Sequence, residues 1–374
     1  MKYFIIAGEQ SGDLHGSNLV KALKVSDPGA EIRCWGGDLM EAAGASLLKH
    51  YRDLAFMGFV SVLKNIGTIR KNMKACQAQI REFMPDAVIF IDYPGFNLRI
   101  AEFAGRAGFR TFYYISPKFW AWNEGRVRKV KKYIDRMFII FPFEVEFYRK
   151  HGIEVEYNGN PLVDEIEARK AVMQPAERIR ETLGLGDEPV IALLAGSRRT
   201  EISSVLPQMI KMTRHFPGYK FVLAGVKHIP DDFYRQYTGS SPLILIKDRT
   251  YDILTISEAA LVTSGTATLE TALMGIPQVV CFRGPFLEML IAWMVVRVRF
   301  ISLVNLIMDS EVVRELVQYR LNEENLHAEL KSILKGGEKR GNMLSGYESL
   351  RHRLGPAGAS ARTAAEMVNK LKSC

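Results

Sequence analysis

The sequence predicts an α/β protein of two domains, each built on a parallel sheet. Three observations carry that expectation. Apolar runs and helical stretches alternate along the whole chain of 374 residues, the rhythm of βα units. Ala87 to Asp92 (AVIFID) and Pro189 to Ala195 are nearly unbroken apolar runs, as strands covered on both faces must be. The length suggests two domains at roughly 150 residues each. Asn158-Gly159-Asn160-Pro161 supplies a turn cluster near the middle, a natural hinge. The expected division is a first domain over 1–165, a second over 166–340, and terminal helices over 341–374 that pack back on the first.

In the first half, Tyr3 to Ala7 is a strand that runs into Gly8-Glu9-Gln10-Ser11-Gly12-Asp13, with a helix from about Leu14 to Val25. Strand, glycine loop and helix make a nucleotide-type opening. Gly8, Gly12 and Gly16 are spaced by four, however, and do not form GxGxxG. Ser11, Gly12 and Asp13 therefore read equally well as a loop that keeps a cleft open for another substrate. Glu31 to Gly36 is the second strand and Asp38 to Gly44 a short helix. Between Leu54 and Met73, Phe59, Leu63, Ile66 and Ile69 keep helical spacing beside Lys64, Arg70, Lys71 and Lys74. That is either a core helix or an exposed patch (Met57, Phe59, Val60, Leu63) suited to an anionic bilayer. Asp92 stands at the C-terminal end of its strand, where ligands of open α/β sheets bind. It either caps the Tyr93–Asn97 turn or aims a carboxylate into a cleft. Arg110 to Ile115 is a further strand. Ser116-Pro117-Lys118-Phe119-Trp120-Ala121-Trp122 follows as an aromatic wall or as plain packing. Arg126, Arg128, Lys129, Lys131, Lys132 and Arg136 form the densest basic run. No RNP, KH or helix-turn-helix signature accompanies it, so phosphate or membrane is favoured over nucleic acid. Arg136 to Phe141 is the last strand of this half, which ends over Val155 to Pro161.

The second half opens with a charged linker, Glu165 to Lys170 and the Pro175 region. Gly196-Ser197-Arg198-Arg199-Thr200 is a glycine loop entering a helix near Glu201, and either arginine suits a phosphate. Tyr219 to Gly225 and Leu243 to Ile246 are strands. Val262 to Phe282 is the most informative stretch: strand, the Ser264-Gly265-Thr266 turn, a helix from about Thr266 to Met274, a Gly275 stop and a strand over Gln278 to Phe282. Free N–H groups and the dipole of a helix start bind anions. Gly265 offers a phosphate no side-chain obstruction. Glu270, one helical turn beyond Thr266, is placed to accept both hydroxyls of an attached ribose. The alternative is a capped helix whose Glu is merely solvated. Ile301 to Leu306 is a short apolar loop segment, and the last sixty or so residues read as helical and charged, with Gly355-Pro356 before a final helix.

Hydrophobic content of 48% and charged content of 24% are those of an ordinary soluble globular protein. A net charge of +9 favours an acidic partner. Cys34, Cys76, Cys281 and Cys374 are scattered without a CxxC pair, which argues against zinc and disulfides and fits a reducing cytosol. Five apolar residues between Lys2 and Gly8 are too few for a signal peptide, and Met289 to Val296 is far short of the ~20 residues a spanning helix needs. No Asp-x-Asp pair occurs, so a metal that bridges a diphosphate through such a pair is not expected; no cofactor is called for.

GEQSGD, MGFVSVL, IDYPGFN, YYISPKFWAW, GNPLVD, LLAGSR, SGTATLE and SLVN stand in that order between Gly8 and Asn305. Together they resemble the lipid A disaccharide synthases, inverting glycosyltransferases of the GT-B fold. No such motif follows Asn305. The resemblance implies two Rossmann-like domains facing across a cleft. It implies a UDP-2,3-diacylglucosamine donor and a 2,3-diacylglucosamine 1-phosphate acceptor, joined by a β-1,6 bond with release of UDP. It also implies a cytoplasmic protein, peripheral on an anionic inner-membrane surface. On this reading Asp92 is the general base, and Arg198, Ser264, Gly265, Thr266, Glu270 and Asn305 hold the UDP-sugar. Ser11, Gly12 and Asp13 belong to the acceptor side or its loop. A sugar-nucleotide epimerase and a non-catalytic membrane-binding module remain as competing readings. The oligomeric state stays open, a homodimer among the options.

Overall fold

The computed structural model describes residues 1–54, 66–117, 119–120, 124–239, 241–284 and 299–373. A first sheet of seven strands contains β1 (Lys2–Ala7), β2 (Glu31–Gly36), β3 (Ser46–His50), β4 (Ala87–Ile91), β5 (Arg110–Tyr114), β6 (Arg136–Ile139) and β7 (Glu156–Tyr157). Its order is β3-β2-β1-β4-β5-β6-β7, parallel throughout. A second sheet of six strands contains β8 (Val190–Leu194), β9 (Lys220–Gly225), β10 (Leu243–Lys247), β11 (Ser257–Thr263), β12 (Gln278–Phe282) and β13 (Arg314–Val317). Its order is β10-β9-β8-β11-β12-β13, also parallel. The central strands β4 and β8 are buried at every position, as unbroken apolar runs demand.

The chain groups into two units, Met1–Asp164 with Pro356–Cys374, and Glu165–Gly355. Only the final helix, Ala359–Lys372, joins the first unit, where it packs on the Gln10–Ser26 helix. The Arg340–Leu354 helix, expected to return with it, stays with the second unit. Its buried Tyr347 meets the Gln278 side chain at 3.3 Å, which fixes it beside β12.

The Gln10–Ser26 helix begins four residues earlier than the expected Leu14, so Ser11, Gly12 and Asp13 lie in its first turn and not in an open loop. The four-residue glycine spacing has a packing cause. A Cβ at Gly12 would sit 3.2 Å from that of Ala7, and one at Gly16 would press Met40 Sδ at 2.6 Å and Ile91 at 3.2 Å. Glycine lets the helix approach β1 and β4 closely. The segment Ile301 to Leu306, expected as a loop, carries a helix over Leu303–Met308 whose N-cap Ser302 accepts from the Asn305 N–H.

GNPLVD works as a clip within the first unit. Asn160 Nδ2 donates to the Ile140 carbonyl at 2.9 Å, and its Oδ1 accepts from the Leu162 N–H at 2.9 Å. Asp164 accepts from the N–H groups of Gly358, Ala359 and Ser360 at 2.6, 3.1 and 3.0 Å. A carboxylate there satisfies donors of the final helix's first turn and complements its dipole. Replacing Asp164 by Ala removes all three bonds. Chemical denaturation should show a loss of about 1–2 kcal/mol, and limited proteolysis should release the C-terminal helix first.

Candidate functional site

At the C-terminal edge of the first sheet the backbone leaves its ordinary range. Asp92, Tyr93 and Ile115, which follow β4 and β5, have φ of +42°, +48° and +65°. Side chains seldom adopt this left-handed region, and a β-branched Ile does so least readily. Two side chains hold the geometry. Tyr113 donates its hydroxyl to the Asp92 carbonyl at 2.6 Å, and Asn97 Nδ2 donates to the same oxygen at 2.7 Å. Asn97, fully buried, also donates to the Ile91 carbonyl at 3.2 Å, tying its own helix to the strand end. The half-buried Asp92 side chain is thereby set just beyond β4. The Tyr93 ring covers Gly8 so closely that a Cβ there would overlap it, and its hydroxyl donates to the Leu54 carbonyl at 2.8 Å.

Asp13 has a local task. It is 3% exposed and accepts from the N–H groups of Gly37 (2.8 Å), Leu39 (3.1 Å) and Met40 (3.1 Å), which caps the Asp38–Ala42 helix. The structure gives Asp13 this capping place, away from any open loop.

Glu144 gave no signal in the sequence. It is fully buried; its carboxyl accepts from the Phe141 N–H and from Trp120 Nε1, both at 3.1 Å. Ser116 Oγ and Tyr148 OH lie 2.6 Å apart within the same buried group. Burial pushes the Glu144 carboxyl up to about 7, against the pull of these donors. Phe119 is buried core, so part of the aromatic wall is packing. Lys118, Ala121 and Trp122 lie outside the described residues, as do Met57, Phe59, Val60, Leu63 and the run Met289 to Val296. The basic run forms a helix, Val127–Tyr133, that buries Val127 and Val130 and exposes Arg128, Lys129, Lys131 and Lys132. Lys129 is tied to Glu102 at 2.9 Å.

In the second unit, Ser264, Gly265, Thr266 and Glu270 come together at the end of β11, where the Thr266–Leu273 helix begins. Ser264 donates its N–H to the Cys281 carbonyl at 3.3 Å and its hydroxyl to the Ile301 carbonyl at 2.9 Å. A Cβ on Gly265 would meet nothing within 4 Å, so the space before the helix is open. Glu270 is half-buried and not merely solvated: Tyr251 OH donates to its Oε1 at 2.7 Å. Burial raises the Glu270 pKa; the Tyr251 hydrogen bond opposes that, Glu165 adds to it and Arg169 opposes it.

Asn305 stands one layer behind. It is fully buried; its Oδ1 accepts from the N–H groups of Val312 (2.8 Å) and Val313 (3.0 Å), and its Nδ2 donates to the Val313 carbonyl (2.8 Å) and Glu315 (2.9 Å). Glu315 in turn accepts from the Ile301 and Ser302 N–H groups at 2.9 Å. Asn305 is thus tied to the turn through Glu315 and Ile301, whose carbonyl Ser264 binds. Arg198 lies on the loop after β8, the strand beside β11, and is exposed. The Ser197 and Arg198 N–H groups of that loop donate to the Glu201 carboxylate at 3.0 and 3.2 Å, so the loop is shaped around its own anion.

The model of the lipid-A-disaccharide synthetase family matches residues 3–367. This chain belongs to that family. The lipid-A-disaccharide synthase of Trichlorobacter lovleyi is 35% identical, covering 99% of this chain and 98% of its own. That of Myxococcus xanthus is 36% identical, with 99% and 97% covered. Family membership makes the protein a glycosyltransferase of lipid A biosynthesis. Among solved structures, the UDP-GlcNAc 2-epimerase of Neisseria meningitidis bound to UDP-GlcNAc aligns at a TM-score of 0.70 and 12% identity, over 99% of this chain and all of that one. An S. aureus MnaA–UDP co-structure aligns at 0.70 and 14%, over all of this chain and 97% of that one. These two share the GT-B-type fold of paired parallel-sheet domains. No helix among the described residues is long and apolar enough to cross a membrane.

The buried Glu144 gives a pH test. Its folded pKa lies above the ordinary value of 4.5, so the proton favours the folded state. Its contribution is complete below pH 4.5 and is lost as pH rises through about 7. Unfolding free energy should carry a falling component of a few kcal/mol across that window. Glu144→Gln should flatten it, as measured by denaturant titration at several pH values.

Proposed function

We propose that the chain transfers the diacylglucosamine of a UDP-linked donor to the 6-hydroxyl of a 2,3-diacylglucosamine 1-phosphate acceptor, with inversion to a β-1,6 link. The second unit holds the donor and the first supplies the base. The observation that carries this reading is Asp92. Its carboxylate stands beyond a buried parallel strand, on strained backbone held by Tyr113 and Asn97. Strain of this kind collects where side-chain placement matters.

In the proposed step Asp92 takes the hydroxyl proton as the acceptor oxygen attacks the anomeric carbon. The bond from that carbon to the diphosphate breaks on the opposite face, and its electron pair leaves with UDP. The start of the Thr266–Leu273 helix and Arg198 stabilise that charge. Glu270 accepts the ribose hydroxyls. With no Asp-x-Asp pair in the chain, these groups serve in place of a bridging metal. Two acylated, anionic substrates also suit a peripheral membrane enzyme. The exposed Arg128, Lys129, Lys131 and Lys132 of the Val127–Tyr133 helix, in a chain of net charge +9, support that part.

Asp92→Asn keeps the shape and removes the base. It should lower kcat about 10²- to 10⁴-fold while UDP affinity and melting temperature stay near wild type. Near-normal turnover would assign Asp92 to its turn alone, because Asn serves a turn as well.

A further inference from the structure

Glu270 does not stand alone. Tyr251, on the Thr250–Thr255 helix, directs its hydroxyl at Glu270 Oε1 from a separate element, 2.7 Å away. The Arg169 guanidinium lies over the Tyr251 ring at 4.3 Å from its centroid. Arg169 Nε is itself 3.4 Å from Glu165 Oε1, one turn earlier on the Pro161–Val172 helix. Three elements therefore converge on one carboxylate. We infer that Tyr251 is a positioning residue for sugar-nucleotide binding: it aims the Glu270 carboxylate at the ribose, with Arg169 fixing the plane of the Tyr251 ring. This inference rests on the assignment of Glu270 to the ribose.

The chemistry of the acceptor explains why a partner is needed. A carboxylate has about four lone-pair sites and can accept from both hydroxyls of a diol; a protonated carboxyl has spent one oxygen on its own proton. Burial pushes Glu270 toward that protonated form, and Glu165 pushes the same way. The Tyr251 hydroxyl bonds the ionised form and opposes both, and Arg169 adds its charge on the same side. Tyr251 takes one lone pair of Oε1, and no hydrogen bond among the described residues occupies Oε2. Arg169 stacked on the ring holds the phenol direction by a cation–π contact. A tyrosine that served packing alone would not need its hydroxyl on this oxygen.

The test is equilibrium binding of UDP-GlcNAc, whose diphosphate does not change charge between pH 5 and pH 8, to the full chain and three variants. Tyr251→Phe keeps the ring and removes the hydroxyl. It should weaken binding about tenfold at pH 7, with affinity recovering as pH rises, since Glu270 then ionises at a higher pH than in wild type. At saturating donor its kcat should stay within about threefold of wild type, so the change falls on KM. Arg169→Gln should shift the pH profile in the same direction by less, and so provides a second reading if Tyr251→Phe folds poorly. Glu270→Gln should bind weakly at every pH. Wild-type affinity and pH profile in Tyr251→Phe, beside weak binding in Glu270→Gln, would overturn the role of Tyr251 alone. Wild-type affinity in Glu270→Gln would remove the ribose assignment and this inference with it.

Discussion

The carbonyl of Asp92 is the joint on which the C-terminal edge of the first sheet depends. It accepts two hydrogen bonds, from Tyr113 and Asn97, and those bonds hold two successive residues at positive φ. Such conformations cost of order 1–3 kcal/mol each and persist only where surroundings over-determine them. Here the surroundings are a hydroxyl from the neighbouring strand and an amide from the following helix, both buried. The turn sends the chain sharply out of β4 and leaves the Asp92 carboxylate at the sheet edge. It also swings Tyr93 across Gly8, which is why GEQSGD begins with a residue that has no side chain. Three motifs, GEQSGD, IDYPGFN and YYISP through its Tyr113, thus meet in one packing arrangement.

The second unit solves a different problem, that of leaving a helix start open. Gly265 keeps the approach clear, and Ser264 spends its own donors on Cys281 and Ile301. Support comes from behind. Glu315 and Asn305 hold the backbone from Ile301 to Val313, and Ile301 takes the Ser264 hydroxyl. SLVN is thus tied to SGTATLE through the carbonyl of Ile301 just before it and through packing of the Leu303–Met308 helix on the Thr266–Leu273 helix. Small displacements of the supporting loop would be felt at the turn, because fully satisfied polar networks have few alternative arrangements.

What could be read from the sequence follows from what each element owes to its neighbours. β4, β8 and β12 were legible to within a residue or so, because burial on both faces writes an unbroken apolar run. The edge strands β3 and β13 were not. SLLKH and RELV mix charged and apolar residues on half-covered ribbons, and β13 lies in a stretch that reads as helical. The Leu303–Met308 helix had a signal in Ser302, a capping residue before an apolar run. Ser264 to Thr266 and Glu270 were legible as a group because one turn and one helix carry them. Tyr251, Asn97 and Glu144 were not, since each acquires its meaning from partners far along the chain. Asp13 and Asn305 sat in the motifs, yet their donors and acceptors in Gly37, Leu39, Met40, Val312 and Val313 belong to other segments.

The product decides whether the protein is the proposed inverting transferase. Purified protein should be incubated with UDP-2,3-diacylglucosamine and 2,3-diacylglucosamine 1-phosphate, and the product analysed by mass spectrometry and by NMR of the new anomeric centre. One β-1,6-linked tetraacyl disaccharide 1-phosphate is expected for each UDP released. An α-linked disaccharide, or a sugar nucleotide epimerised without transfer, would contradict the proposed transfer.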